Sequence, residues 1–422
     1  MSASATAASA FTIESVKAFS AKRREPEFLL ERRLKALALW NEMPLPGKQD
    51  EFWRRVKLPT LDFEALAKRA SSEKALKLSA LEAAGSKAGV FFGTLDAAIA
   101  QRADLLKKYW ATKVYPAGDA GGIARRGGKF HALNQTLFDT GYVLHVPKNA
   151  SLKEPLEARF TSQSGTDGLY PHNLIVLEDG AEATLIEIHE SAPGAVGLSV
   201  PQAEVILGAG AKLHYLLLQN VGSEIIHIGA HRVVLGAKAF ANFPSAHLGS
   251  TISKSFLELE MEGEGSKGVL YGLYYGLGQQ KLHMDTWQHH IAPGCTTDLM
   301  FKGVLDDRAM AVYRGMIHLE PAAQKTDAYQ QNRTLLLSDD ATIHSIPGLE
   351  ILANDVKCTH GSTAGQIDQN MLFYLLSRGV RIFDARKMVM DGFFEEVIVK
   401  FDLPQVVEPL RNLIDVKIAA KR

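Results

Sequence analysis

Cysteine is nearly absent from this chain: Cys295 and Cys358 are the only two in 422 residues. With no pair at zinc-ribbon or thioredoxin spacing, a disulfide framework and a four-cysteine site within one chain are both excluded. Net charge is absent too, since 47 Lys and Arg balance 47 Asp and Glu. No overall field draws in nucleic acid or an anionic membrane, and neither is expected as a partner. No uninterrupted apolar run approaches the roughly 18 to 20 residues that a membrane span needs. The first 24 residues, rich in Ala and Ser and ending basic, lack the apolar centre of a secretory signal. Residues 1–24 are therefore expected to be a disordered leader on a cytoplasmic protein. An organellar transit peptide is the alternative, weakened by Glu14.

What is present is an ordinary globular composition, 46% apolar and 22% charged. Phe28, Leu30, Leu34, Leu37 and Trp40 recur at helical spacing until Pro44 and Pro46 stop the pattern. Further helix is expected from Phe63 to Ala84 and from Asp96 to Trp110, giving a helical N-terminal domain with its linker over 25–140. The linker, Pro116–Lys129, is rich in glycine. At Gly128-Lys129 it runs into Phe130 where a phosphate loop needs Ser or Thr, so no nucleotide site is expected.

Beyond Gly141 the period changes from helical to alternating. A small-residue corner recurs at Gly180-Ala181, Gly210-Ala211, Gly236-Ala237, Gly265-Ser266 and Gly294-Cys295, in steps of about 30, 26, 29 and 29 residues. Units this small cannot bury an apolar face alone and must stack on their neighbours. Residues 141–367 are thus expected to wind as a β-solenoid; an antiparallel sandwich has no reason to hold a constant step. Cys295 reads as a small corner residue. Helical periodicity returns over 368–422, where amphipathic segments from Ala385 and Pro404 are expected to cover the open end of the stack.

The stretch Leu349–Gly379 carries the leading candidate site and ends in a helix whose N-cap is expected at Asp368. Alternation puts Cys358 and His360 on one strand face, with Cα atoms about 6.5 to 7 Å apart. Thiolate and imidazole so placed suit a soft or borderline metal, or a histidine that helps ionise the thiol; a buried cysteine beside an ordinary histidine has the same spacing. A second candidate is HMDTWQHH, in which a strand would align His283, Asp285 and His289, two imidazoles and a carboxylate suited to iron or zinc, with hydrogen-bonded packing as the alternative. His227 and His231 have the spacing of a zinc-binding helix but lie in strand-like sequence. Asp306-Asp307 and Asp339-Asp340 resemble the paired acids of polysaccharide-cleaving β-helices, yet adjacent strand residues point oppositely, so turns are expected there.

DVKCTHGSTAGQID with LFYLLSRG, preceded by AQKTDAYQQNRTLLLSDDA, resembles the SufD branch of the SufB/SufD family of iron-sulfur cluster assembly proteins, densely from Lys302 to Phe394. PGKQDEFWRRVKLPTLDF, Pro46–Phe63, also resembles that branch. The resemblance implies a mainly β chain, a right-handed parallel β-helix flanked by N-terminal and C-terminal helical domains. It implies a scaffold subunit rather than an enzyme, paired with SufB through the β-helix and with the ABC-type ATPase SufC through the C-terminal helices. His360 matches the SufD histidine that faces an essential SufB cysteine, which makes His360 an expected metal or cluster ligand and Cys358 a secondary one. Gly361 stands where the SufB branch tends to carry glutamate. An ordinary cluster takes four thiolates, so a cluster or iron here is expected to be transient and shared with a partner. Two rival readings remain: a β-helix lyase or hydrolase of acidic polysaccharide, and a mononuclear metal enzyme built on His283, Asp285 and His289.

Overall fold

A chain that coils in short strands must turn sharply at each corner, and the tightest corners need one residue at positive φ. The computed structural model describes residues 11–67, 75–79, 89–113, 126–163 and 165–419. Within them that position is held by Asn149, Gly180, Gly210, Lys238, Gly265, Gly294 and Lys325, with φ from 55° to 67°. The residue after each is small and buried: Ala150, Ala181, Ala211, Ala239, Ser266, Cys295 and Thr326. Corner stacks on corner through the backbone, as Gly180 N–H donates to Ala209, Gly210 to Ala237, Gly265 to Pro293 and Gly294 to Gln324. Four of the five expected corners therefore fall where they should. The exception is Gly236-Ala237, where the positive-φ residue is Lys238, two positions later. Cys295 is a corner residue whose Sγ donates to the Gly263 and Ala292 carbonyls, each at 3.3 Å.

Between corners the strands stack in parallel into two sheets, so the protein is a parallel β-solenoid, as the repeat predicts. The first sheet ends with Ile225–Leu235, Ile252–Met261, Lys281–His290, Met310–Leu319 and Thr342–Ile351. The second ends with Lys267–Gly276, Thr296–Leu305, Asp327–Leu336 and Lys357–Gln366. Alternate side chains from both, among them Leu259, Leu270, Tyr274, Leu282, Met284, Phe301 and Tyr313, fill the space between the sheets. The other face of each strand points outward and needs separate cover.

The N-terminal segments cover the first sheet. Leu37, Trp40, Trp53 and Phe130 pack with Leu198, Val200, Ile228 and Phe256. Three expectations change here. Ile13–Lys22, inside the expected disordered leader, is a helix capped reciprocally by Thr12 and Ser15. The helix expected over Phe63–Ala84 is confined to Phe63–Leu66, and Leu76–Leu78 is a strand antiparallel to Leu156–Ser162, because its branch of the chain finds an open sheet edge; residues 68–74 and 80–88 lie outside those described. Asp96–Trp110 is two helices, Leu95–Gln101 and Ala103–Tyr109, joined at Arg102. Most of the glycine-rich linker, 116–125, also lies outside the described residues.

The C-terminal helices Ile382–Ile398 and Pro404–Ala419 lie on the outer face of the second sheet rather than over the open end. Met390, Phe394, Ile398, Leu410 and Ile414 join Ile188, Leu216, Val269, Tyr271 and Met300 in one cluster. Lys302 anchors the contact, its Nζ donating to the Phe393 carbonyl at 2.9 Å and pairing with Glu396. The physical reason is surface match: the helices carry a long apolar stripe, and that face of the sheet offers an apolar surface to it. Among the described residues no helix is long and apolar enough to cross a membrane.

The corner geometry makes a stability prediction. At Gly265 an added Cβ would meet only Lys238 Cγ at 3.8 Å, so the cost of Gly265→Ala is conformational. Gly265→Ala is expected to destabilise by about 1–2 kcal/mol, while Lys238→Gly one coil earlier is expected to be neutral or stabilising by up to about 1 kcal/mol. Paired urea midpoints check both.

Candidate functional site

Every strand inside a stack has its backbone satisfied from two sides, and the last strand of each sheet has not. Thr342–Ile351 pairs with Met310–Leu319, and Lys357–Gln366 pairs with Asp327–Leu336. Among the described residues nothing pairs with their other edges. Each is a ten-residue strand facing out of the molecule. Pro347 interrupts the donors of the first, a residue tolerated only at such an edge.

Register decides which side chains of the last coil point into the lumen. Cys358 lies over Ala328, His360 over Gln330 and Ser362 over Asn332, all three partners buried in the coil below. Cys358 and His360 therefore share the inward face, as alternation predicts, but with no coil above them His360 is exposed and Cys358 half-buried. Ser362 Oγ reaches Ser345 Oγ across the lumen at 2.6 Å. Under His360, the amide of Gln330 is buried with neither its oxygen nor its nitrogen hydrogen-bonded. Gly315 opposite makes room for it, since a Cβ there would come within 2.3 Å of Gln330 Nε2.

Cys358 packs beside Ile317, Leu319, Ala328 and Val356. Burial, and then the charge of Asp327, push its thiol pKa up. Both causes disfavour a thiolate, so the shift lends no support to His360 ionising Cys358.

His283, Asp285 and His289 do share a face, the outer one, since Leu282 and Met284 take the core. They do not converge. Asp285 pairs with Lys254 and lies 3.6 Å from Arg314 Nε. His283 is buried, and burial followed by Lys254 lowers its pKa well below the usual range. His289 turns instead to Glu320, whose Oε1 is 3.0 Å from His289 Nε2 and 3.2 Å from His318 Nε2. Reading along the strand missed His318 and Glu320 because the neighbour of His289 is one coil away, and only the register reveals it.

Inside the lumen a second group, Glu187, His189 and His231, has converging ligand atoms. Glu187 Oε1 accepts from His189 Nε2 at 2.7 Å and His231 Nε2 at 3.3 Å, and Oε2 accepts from Tyr142, Tyr215 and Asn173 at 2.6, 2.8 and 3.0 Å. Burial alone would raise this carboxyl's pKa; the histidine bonds outweigh it and hold it well below the usual range. Five donors saturate it, which makes the cluster hydrogen-bonded packing. Asp307 sits in a turn at φ 54° and accepts from Gly278 N–H at 2.9 Å, and Asp339 accepts from Gln366 Nε2 at 2.6 Å. Neither aspartate pair forms an acid/base couple.

The described residues thus form a solenoid with helices on both outer faces and a last coil whose outer edges are unpaired. The family model for the SUF system FeS cluster assembly SufBD core domain matches residues 160–393, over half of the chain, and the chain belongs to this family of iron-sulfur cluster assembly proteins. It is similar to an iron-sulfur cluster assembly SufBD family protein of Staphylococcus haemolyticus strain JCSC1435, 26% identical over 93% of this chain and 90% of the relative. Proteins of the same description from Staphylococcus aureus strains MRSA252 and USA300 match to the same extent.

Thiol reactivity follows from the geometry. In the native chain one thiol, Cys358, is expected to alkylate with iodoacetamide and Cys295 to resist. With its pKa raised, Cys358 should react more slowly at neutral pH than an unperturbed thiol, its rate still climbing above pH 9. Mass-spectrometric rates across pH check this.

Proposed function

We propose that this chain is the SufD-type subunit of a cytoplasmic SufB–SufC–SufD complex. Its last coil pairs with the last coil of a SufB-type chain, and the nascent cluster, cargo rather than a resident cofactor, forms at the seam. The observation that carries this reading is the pair of edge strands, Thr342–Ile351 and Lys357–Gln366, whose outer backbone no described residue meets. Strand addition would satisfy that backbone, and Leu349, Ile351 and Leu352, now 39%, 39% and 51% exposed, would gain a core. At such a seam His360 offers an imidazole, a borderline ligand that iron accepts, with Cys358 as the secondary ligand. Two cysteines cannot hold an ordinary cluster, so thiolate ligands come from the partner.

In this reading the ATPase SufC docks on the C-terminal helices. In support, Gln369–Ser377 follows the last strand directly and leaves Met371, Phe373, Tyr374 and Leu376 exposed, with Ile382 and Met388 beyond them. An apolar face of that kind marks an interaction surface. Its position gives nucleotide-driven motion a short path to the last coil. The chain performs no turnover of its own.

The tagged chain is expected to co-purify an ABC-class ATPase and a longer homologue of itself. His360→Ala is expected to abolish cluster accumulation on the purified complex, read as iron and acid-labile sulfide, without dissociating it. Unchanged cluster yield would remove His360 from the mechanism. Phe373→Asp is expected to release the ATPase and keep the homologue.

A further inference from the structure

Four in-register residues cross the outer face of the first sheet, one from each of four successive coils: Glu260, His289, His318 and Glu350. Neighbouring strands lie about 4.8 Å apart, and two imidazolium ions directly opposite would repel. The His318 ring is instead steered by an outer carboxylate, its Nδ1 lying 3.0 Å from Glu350 Oε2. Glu260 Oε2 pairs with Arg232 at 2.8 Å and lies 3.9 Å from His289 Nδ1. The carboxylate on His318 Nδ1 holds the proton there and leaves the lone pair on Nε2.

Both Nε2 atoms then aim at Glu320, which lies two residues past His318 and so on the same face. The Oε1 separations of 3.0 and 3.2 Å belong to a set of three ligand atoms all within 4.8 Å of one another. Two ligands each about 2.0–2.2 Å from a metal ion are about 3.0–3.5 Å apart, so these spacings fit. Trp287 stacks on His318 with centroids 6.0 Å apart and limits its rotation. The side chains of His289, His318 and Glu320 are 21%, 15% and 37% exposed, which leaves the outward side open to solvent ligands.

We propose that His289, His318 and Glu320 form a binding site for a divalent first-row transition metal, with Glu350 as a positioning residue. Two imidazoles and one carboxylate with open positions suit Fe(II), and the same donors accept Co(II) and Zn(II). The assignment is independent of any pairing at the coil end, because it uses the outer face of one chain only. The same distances also serve hydrogen bonds in a metal-free acid and histidine network, so metal must be measured directly.

The full-length chain, stripped with a chelator, is titrated without oxygen with Fe(II) and separately with Co(II), whose visible spectrum reports nitrogen and oxygen coordination. One equivalent is expected to bind. His318→Ala is expected to remove the binding, and His283→Ala, on the same sheet face but outside the cluster, to leave it intact. Glu350→Gln is expected to weaken affinity about 10- to 100-fold at unchanged stoichiometry, as loss of an imidazole-orienting carboxylate does. Circular dichroism melts establish that each variant is folded. No stoichiometric metal, or binding that survives His318→Ala in a folded chain, would overturn the site and leave an ion-pair network alone.

Discussion

Backbone hydrogen bonding between stacked coils is the constraint on which the rest of this molecule depends. It fixes the register of the strands, puts a positive-φ residue into the tight corners, and leaves the last coil with donors and acceptors that nothing among the described residues meets. The flanking helices do not relieve this. Their apolar stripes settle on the outer faces of the two sheets, where Phe256 on one side and Val269 and Tyr271 on the other offer matching surface. A helix has no free backbone hydrogen bonds along its sides to give to a strand edge, so only another strand satisfies the coil end fully.

The same constraint sorts the polar side chains into two kinds. Some that point inward are sealed and saturated, as Glu187 is by its five donors. Those at the coil end or on the outer face stay within reach of solvent: His360 above the unsatisfied amide of Gln330, and His289 beside His318. Of the two cysteines, one is sealed in a corner and one is half-buried at the coil end.

The solenoid was legible in the sequence because glycine marks positive φ: Gly180, Gly210, Gly265 and Gly294 each sit at the true corner. It was less legible where Lys238 and Lys325 take that conformation, since a lysine carries no such mark, and the nearby Gly236 was the wrong guide. The inward face shared by Cys358 and His360 followed from simple alternation. The partners of His289 did not, because contacts along a solenoid face join residues one coil apart, and spacing within HMDTWQHH cannot reveal His318 or Glu320. Nor could amphipathicity alone say whether the C-terminal helices would cover a face or an end. Strand formation by Leu76–Leu78 depended on an open edge at Leu156–Ser162 that helical propensity knows nothing about.

The placement of those last helices bears on cooperativity. Coiled repeats touch only their neighbours, and such arrays tend to unravel from their termini in small steps. Here the final segment of the chain doubles back along the second sheet, so that Phe394, Leu410 and Ile414 share one cluster with Met300 late in the array and Ile188 early in it. A strap of this kind ties distant repeats to one another. Loss of any one coil beneath it also loosens the strap, which converts a string of nearly independent modules into a unit that melts together.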